Sequence, residues 1–398
     1  MTIEAAAAKP TVDPWSWLET HYDDAVIIRA AQTMADAQAA RELIRKTWEV
    51  ETDERYFYGV FDDARLLFET VIAPSREHGD LRELDAICMM IEATDERGRR
   101  QAVGTFSFVL DHEAKTIEVG RGAIAPAWQH RGIPARALGP MHRLLATVPE
   151  YAVITDATTI ARGAKATADA LGLPAVALHP SNFTVQARAV DPWLRRLARR
   201  RGSALARALL RRSERTGLGR FTTSYHCRVP RDLEPTQPVL TAAQQPFFAH
   251  TCRVSKLAPS RPGRAPQRAR LRRVKVHDHP HTATRTIVDP RPAFDVEDQL
   301  VRAAEEGLET MVIQVPCDAQ HRALSQRLER AGAILGGVFV DAHGYWRASY
   351  TLLTTEVHDA QVRLDLAMLV TYDALDGDAG ALLRLVQAHA RRRLDEAG

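Results

Sequence analysis

The sequence predicts a mixed α+β protein, a mixed sheet flanked by helices and followed by a second, smaller α/β unit. Three observations carry that expectation. Residues 85–95, 102–111 and 116–126 are strand-like runs separated by the polar reversals DERGRRQ and HEAK, the pattern of an antiparallel meander. A helical run precedes the meander and a strand–helix–strand crossover follows it, which is a mixed layout rather than a regular βαβα alternation. The order strand–helix–Gly–strand also occurs twice, in YAVITDA…ADALGLPAVAL and in TMVIQVP…LERAGAILGGVFV.

Taken in order, residues 1–24 read as a weakly ordered lead-in that docks through Trp15, Trp17 and Leu18. Residues 25–31 read as a strand, and residues 33–49 place apolar side chains at helical spacing. A looser stretch runs to Leu84. After the meander, residues 135–148 read as a helix, 151–160 as a strand, 161–172 as a second helix and 175–178 as a short strand. Residues 193–215 are a strongly basic Ala/Leu-containing helix. Residues 230–273, rich in Pro, Gln, Ser and Arg, read as connector. The smaller half spans 274–355: strands at 273–278 and 282–289, a helix at 295–307, a strand at 310–316, a helix at 319–332, and strands at 334–341 and 346–354. A final amphipathic helix closes the chain at 378–397. The expected division is therefore 1–24, 25–190, 191–273, 274–355 and 356–398.

Composition excludes several classes. At 398 residues the chain is long enough for two or three domains of roughly 100–200 residues, and 45% hydrophobic with 26% charged residues is ordinary for a globular protein. No run approaches the roughly 18 apolar residues of a membrane span. The start of the chain lacks a basic segment followed by an apolar core, so a cytoplasmic location is expected. Cys88, Cys227, Cys252 and Cys317 are far apart without a CxxC pair, which fits reduced thiols better than a disulfide framework or a zinc site. The formal charge of +3 hides a segregation of arginines.

The most informative segment is TIEVGRGAIAPAWQHRGIPARAL. A strand ends at Pro126, and a loop holding Gln129, His130, Arg131 and Gly132 feeds a helix. Unpaired N–H groups and the positive dipole end at a helix start form an anion seat. Gly132 lets backbone approach closely, and Arg131 adds charge. On these residues and on the element order, residues 25–355 resemble the GNAT acyltransferase superfamily, whose pyrophosphate loop reads Gln/Arg-x-x-Gly-x-Gly/Ala. The second half is similar to the C-terminal half of long bacterial members with two such units.

The resemblance implies an acyl-CoA co-substrate such as acetyl-CoA. Its pyrophosphate would lie on Gln129, His130, Arg131, Gly132, Ile133 and Ala135, and its pantetheine arm along the splayed strand end Ile124, Ala125 and Pro126. It also implies direct transfer to an amine of a small-molecule acceptor. Glu118 stands where several members place the base; period-two alternation leaves open which face its side chain takes. In place of a tyrosine general acid the crossover strand offers Thr155, Thr158 and Thr159, of which Thr158 is the catalytic candidate. Two residues depart from the pattern. Pro134 removes a donor where Gly or Ala is usual, although proline suits a first helical turn. Pro140 is expected to kink or restart the helix.

Other signals weigh less. Gly120–Ala125 spells GxGxxA, but Pro126 prevents the helix that a dinucleotide site needs at once. His277, His279 and His281 could share one strand face, yet no further ligands are signalled, and a solvated turn is the plainer reading. The arginines from Arg195 to Arg215, together with the Arg261–Lys275 run, could bind tRNA or an acidic carrier protein. No aromatics interleave with them as a stacking platform requires, so a solvated amphipathic helix whose arginines pair with acidic segments is the plainer reading. Two alternatives to acyl-CoA transfer follow: a GNAT-fold transferase using aminoacyl-tRNA or an acyl carrier protein as donor, and a non-catalytic CoA-ligand binding protein. The smaller half has no Gln/Arg-x-x-Gly loop and is expected to be a non-catalytic partner. An oligomer is compatible with the sequence.

Overall fold

The computed structural model describes residues 13–22, 25–48, 59–129, 131–158, 162–186, 195, 199, 207, 210, 211, 218–257, 274–279, 283–354 and 377–396. The chain forms two compact units. The first comprises Met1–Trp48, Tyr58–His112 and Glu118–Val148; the second comprises Glu49–Phe57, Glu113–Ile117 and Pro149–Gly398.

In the first unit, strands β1 (Thr20–Tyr22), β2 (Val26–Ala30), β3 (Ala86–Thr94), β4 (Arg100–Asp111) and β5 (Thr116–Ile124, which belongs to this unit from Glu118 on) lie side by side in that order. The pairs β1–β2, β2–β3 and β3–β4 are antiparallel, as the alternation of the meander requires. Helix α1 (Met34–Thr47) starts at a capping box, with the Thr33 hydroxyl accepting from the Asp36 N–H and the Asp36 carboxylate accepting from the Thr33 N–H. It buries Ala37, Ala40, Leu43 and Ile44. The stretch expected to be loose is helical: α2 (Ala64–Leu67), a π-helical turn (Phe68–Ile72) and α3 (Ala73–Glu77). Leu67, Val71 and Ile72 form its buried face. Its pieces are short and Pro74 interrupts them, which masked the stripe in the sequence. Trp15 and Leu18 are buried, at 2% and 0% exposure, whereas Trp17 is 43% exposed; the lead-in docks through two of its three expected anchors.

The second unit holds β6 (Ala152–Thr158), α5 (Arg162–Ala170), β7 (Ala175–Gln186), β8 (Leu218–Arg228), α6 (Gln245–Val254), β9 (Lys275–His279), β10 (Thr284–Val288), α7 (Val296–Glu305), β11 (Thr310–Pro316), α8 (Arg322–Arg330), β12 (Ile334–Val340), β13 (Trp346–Leu353) and α9 (Gly377–Glu396). Its strand order is β6-β8-β7-β12-β13-β11-β10-β9, and all neighbours are antiparallel except the parallel pair β10–β11. Two copies of one motif face each other across β7 and β12. In each, a strand, a helix and a second strand are followed by a third strand that inserts between the first two. Each helix ends on a left-handed glycine, Gly172 at φ 68 and Gly332 at φ 82. The residue after each glycine donates to the carbonyl five residues back, Leu173 to Ala168 and Ala333 to Leu328, the closure expected of a Schellman C-cap. The repeat seen in the sequence is therefore a repeat of topology.

Three sequence expectations are corrected. The strand at 175–178 is longer, running to Gln186. Strand β8 was not foreseen, because most of its buried positions are polar: Thr222, Thr223, Ser224 and His226 are each 1% exposed. The supposed connector contains α6, which buries Phe247, His250 and Thr251; a buried face that is two-thirds polar leaves no hydrophobic period to read. It is held by Gln244, whose side-chain amide donates to Ser325 Oγ (3.2 Å) and Tyr350 Oη (2.9 Å), and by Thr241 Oγ1 donating to Glu329 (2.9 Å). The basic 193–215 segment lies mostly outside the described residues. Arg195, Arg199, Arg207 and Arg211 are helical and exposed, and Leu210 is buried.

Burial carries a measurable consequence in β7. His179 is 4% exposed, with Nε2 2.9 Å from Ser349 Oγ, and burial pushes its pKa down to about 4 from 6.5. Burial lowers His226 and His250 as well. A histidine whose folded pKa lies below its unfolded one stabilises the protein fully above pH 6.5 and loses that contribution as pH falls toward 4. For His179, a pKa held at about 4 instead of 6.5 corresponds to about 3 kcal/mol. Urea unfolding at pH 7 and pH 4.5 is expected to show the loss, and His179→Gln is expected to reduce the difference between the two. An unchanged pH difference in the variant would place the acid sensitivity elsewhere.

Candidate functional site

The site is built on β5 and the turn that follows it. Arg121 sits at φ 53, between Gly120 and Gly122. A left-handed non-glycine residue inside a strand marks a break in the ladder. The strand end is also crowded from below: a Cβ on Gly104 of β4 would lie 2.6 Å from Ile124 Cδ1, so glycine there lets the Ile124 side chain cross. The final rung is the Ala125 N–H donating to Val103 O at 2.8 Å. Past it, a 3-10 turn at Pro126–Trp128 carries the chain away from the strand.

The face of Glu118, left open by the sequence, is settled by its neighbours. Ile117 and Val119 are buried on the other face, and Glu118 lies over Gly120, where a Cβ would come within 2.8 Å of its Oε1. The residue is half-buried, but its carboxyl is enclosed. Burial raises its pKa, and the Arg121 charge opposes the rise only partly. A carboxylate held above its ordinary range is better matched to accepting a proton near neutrality.

In the loop, Gln129 does not project its amide outward: Nε2 donates to Ile124 O at 3.1 Å, tying the turn to the strand end. Arg131 is exposed, with its guanidinium carbon 4.7 Å above the Trp128 ring, a cation–π arrangement that orients the charge. His130 lies outside the described residues. Gly132 has φ 72 and open space where a Cβ would be, so glycine is needed there for its backbone angle. Helix α4 (Ile133–Ala146) follows, with no side-chain cap and no acidic residue in its first turn. Its first closing bond is the Arg136 N–H donating to Gly132 O at 3.3 Å. The N–H groups of Ile133 and Ala135 have no partner among the described residues and belong to the set that a helix start leaves open. Pro134 contributes no donor, so two point outward where an alanine or glycine would allow three. Pro140 does not restart the helix, which runs 14 residues through it. The carbonyl that Pro140 leaves without a donor, that of Arg136, accepts from Tyr22 Oη at 2.6 Å. Sequence reasoning missed Tyr22; the signal was the mid-helix proline, which demands a donor from elsewhere.

The structure thus gathers Glu118, Ile124, Ala125, Pro126, Gln129, Arg131, Gly132, Ile133 and Ala135 on one strand–turn–helix of the first unit. Thr158 belongs to the second unit, as the last residue of β6 in register with Thr223; Thr159 lies outside the described residues. The corresponding helix start in the smaller half is closed to anions. Asp295 caps α7, accepting from the N–H groups of Glu297 (3.0 Å) and Asp298 (3.1 Å), and both of those residues add negative charge. Among the described residues no cluster of His, Cys, Asp or Glu is arranged for a metal; Asp278 instead pairs with Arg285 (2.7 Å), and His281 lies outside them. Cys88, Cys227 and Cys317 are buried, and burial pushes the Cys227 thiol up to about 12, which makes it a poor nucleophile. No helix among the described residues is long and apolar enough to cross a membrane.

The architecture is mixed α+β, and the order of meander, helix, strand, helix and strand from β3 to β7 is the one expected from the sequence. No family model and no curated protein matches the chain. Solved structures similar to it include a ribosomal-protein-S5-alanine acetyltransferase from Vibrio fischeri (11% identity, 55% of this chain and 99% of that one, TM-score 0.37). A ribosomal L7/L12 alpha-N-protein acetyltransferase aligns at 12% identity over 53% of this chain and 93% of that one, with a TM-score of 0.34. The spermidine N-acetyltransferase from Vibrio cholerae, solved with CoA and spermine, aligns at 12% identity over 52% and 95%, with a TM-score of 0.33. Likeness at this level concerns the course of the chain and transfers no substrate.

Proposed function

We propose that the chain is an N-acyltransferase that moves an acetyl or other acyl group from acyl-CoA to an amine. The observation that carries this reading is the turn at Gly132: an uncapped helix start with two open N–H groups, beside an exposed arginine and at the end of a broken strand. Such a start attracts a pyrophosphate through its donors and dipole together. The pantetheine arm would then run along Ile124–Pro126. Glu118 removes a proton from the acceptor ammonium, and the freed amine adds to the thioester carbonyl. The tetrahedral adduct gives the second proton of its nitrogen to water and collapses to the amide and the CoA thiolate, which takes a proton from water. The raised Glu118 carboxyl favours an ammonium over a weaker acid as the proton donor, and this supports an amine acceptor.

Titration with CoA and acetyl-CoA, read by calorimetry and thermal shift, tests the reading. Saturable binding of one CoA per chain is expected, because Asp295 closes the second helix start. Arg131→Ala is expected to weaken it by roughly ten-fold, as for a charge-assisted contact, and Pro134→Gly, which returns a donor, to strengthen it. No binding at millimolar ligand would sink the proposal.

A second reading rests on the exposed Arg195, Arg199, Arg207 and Arg211, which favour a polyanionic donor, aminoacyl-tRNA or an acidic acyl carrier protein. It requires binding that falls steeply with salt and is indifferent to Pro134→Gly. CoA binding without turnover in any acceptor screen would instead support a CoA-ligand binding protein.

A further inference from the structure

We propose that Tyr22 is a positioning residue for the acyl-donor turn: its hydroxyl replaces the hydrogen bond that Pro140 removes from α4, and so sets the first turn of that helix. The inference rests on reading that turn as the pyrophosphate seat.

Proline inside a helix has two local effects. It withholds an N–H from the carbonyl four residues back, and its ring crowds that same carbonyl outward. Here the carbonyl belongs to Arg136. Left alone it would be an unpaired acceptor at the centre of a bend. Here that carbonyl is met: Tyr22 Oη donates to Arg136 O at 2.6 Å from β1, 114 residues earlier in the chain, and the helix continues through Pro140. The residue before the proline makes room for it: a Cβ on Gly139 would stand 3.2 Å from Tyr22 Oη, tighter than most real contacts. Gly139 and Pro140 are each poor helix residues, and one hydroxyl accounts for both.

The grip extends along the helix. On the next turn Arg143 Nη2 donates to Leu18 O at 3.1 Å and to Thr20 Oγ1. The lead-in is itself fixed, with Trp15 and Leu18 buried and Trp15 Nε1 donating to Ser75 O at 2.6 Å. Arg136 is also the residue whose N–H closes the first turn onto Gly132. At a rise of about 1.5 Å per residue, its peptide lies only ~4.5 Å along the axis from Ile133. Holding the Arg136 carbonyl therefore holds the plane from which the Ile133 and Ala135 N–H groups emerge. Tyr22 touches no ligand in this account; it acts through the helix.

The test is a cycle with CoA as the probe. Tyr22→Phe removes only the hydroxyl and is expected to weaken CoA binding roughly five- to ten-fold, the size of one hydrogen bond. Tyr22→Phe combined with Pro140→Ala returns an N–H to the Arg136 carbonyl, and binding is expected to recover to within about two-fold of the wild type. A tyrosine acting through contacts other than the Arg136 carbonyl would not be rescued by a change at position 140. If Tyr22→Phe fails to fold, Gly139→Ala crowds the same hydroxyl from the helix side and is expected to weaken binding likewise. Wild-type-like binding by Tyr22→Phe, or no recovery in the double variant, overturns the positioning role and leaves the donor site standing. Failure of the wild type itself to bind CoA removes the seat, and this role with it.

Discussion

Glu118→Gln is expected to slow acyl transfer by roughly 10²–10⁴-fold, the usual worth of a general base, while making the folded protein more stable at neutral pH. The two effects share one cause. Glutamine keeps the shape that lies over Gly120 but cannot take a proton. The glutamate, enclosed on β5, has a raised pKa because burial disfavours its charge and Arg121 offsets this incompletely. The sign follows from linkage. With the folded pKa above the unfolded one, the unfolded chain gives up its proton first as pH rises past 4.5, so rising pH costs the native state stability. Gln removes that cost, as is common where a site is strained for function. Transfer rates and thermal midpoints between pH 5 and 8 check both halves. The acidic limb of the rate profile should vanish with Glu118. An unchanged rate would strip Glu118 of the base role, and a lost rate with no gain in stability would mean that the carboxyl is better solvated than its surroundings indicate.

Gly337→Ala is expected to be the most damaging small substitution in the second unit. A Cβ at 337 would stand 2.1 Å from Val176 O and 2.6 Å from Ala177 Cα, and one at Gly336 would stand 2.0 Å from Leu178 O. These are backbone atoms of β7, so no side chain can turn aside, and the two copies of the repeat would have to part along β7 and β12. The cost is expected at or above the upper end of the roughly 1–3 kcal/mol usual for overpacking. Gly172→Ala is the matched control. Its Cβ meets nothing within 4 Å but its φ is 68, so it should lose only about 1 kcal/mol, for the left-handed angle alone. Urea midpoints of the two variants decide the matter: equal losses would mean that conformation, not close approach, explains the glycine pair.

Much of this protein was legible before its structure. The meander at β3–β5 announced itself through polar reversals, because a strand with one or both faces buried must be bounded by residues that turn. The helices α1, α7 and α8 were readable from their apolar spacing, and Gly172 and Gly332 as the glycines that end a helix before the next strand. The uncapped helix start at Gly132 was legible too, since a helix start needs its partners supplied or left open within four residues.

What escaped was decided at a distance. Strand β8 and helix α6 bury Ser224, His226, His250 and Thr251, polar groups that sit inside only because distant carbonyls and hydroxyls meet them. The side of β5 on which Glu118 lies depended on what packs against Ile117 and Val119. Pro140 foretold a broken helix, and a hydroxyl 118 positions earlier mended it. Local sequence determined where strands and helices begin, end and leave donors open, because those rules act within a turn or a pleat. Which polar groups are satisfied in the interior, and therefore which helix runs on through a proline and which carboxyl has its pKa raised, was settled by the tertiary structure, because burial and its compensating hydrogen bonds join residues that the sequence holds far apart.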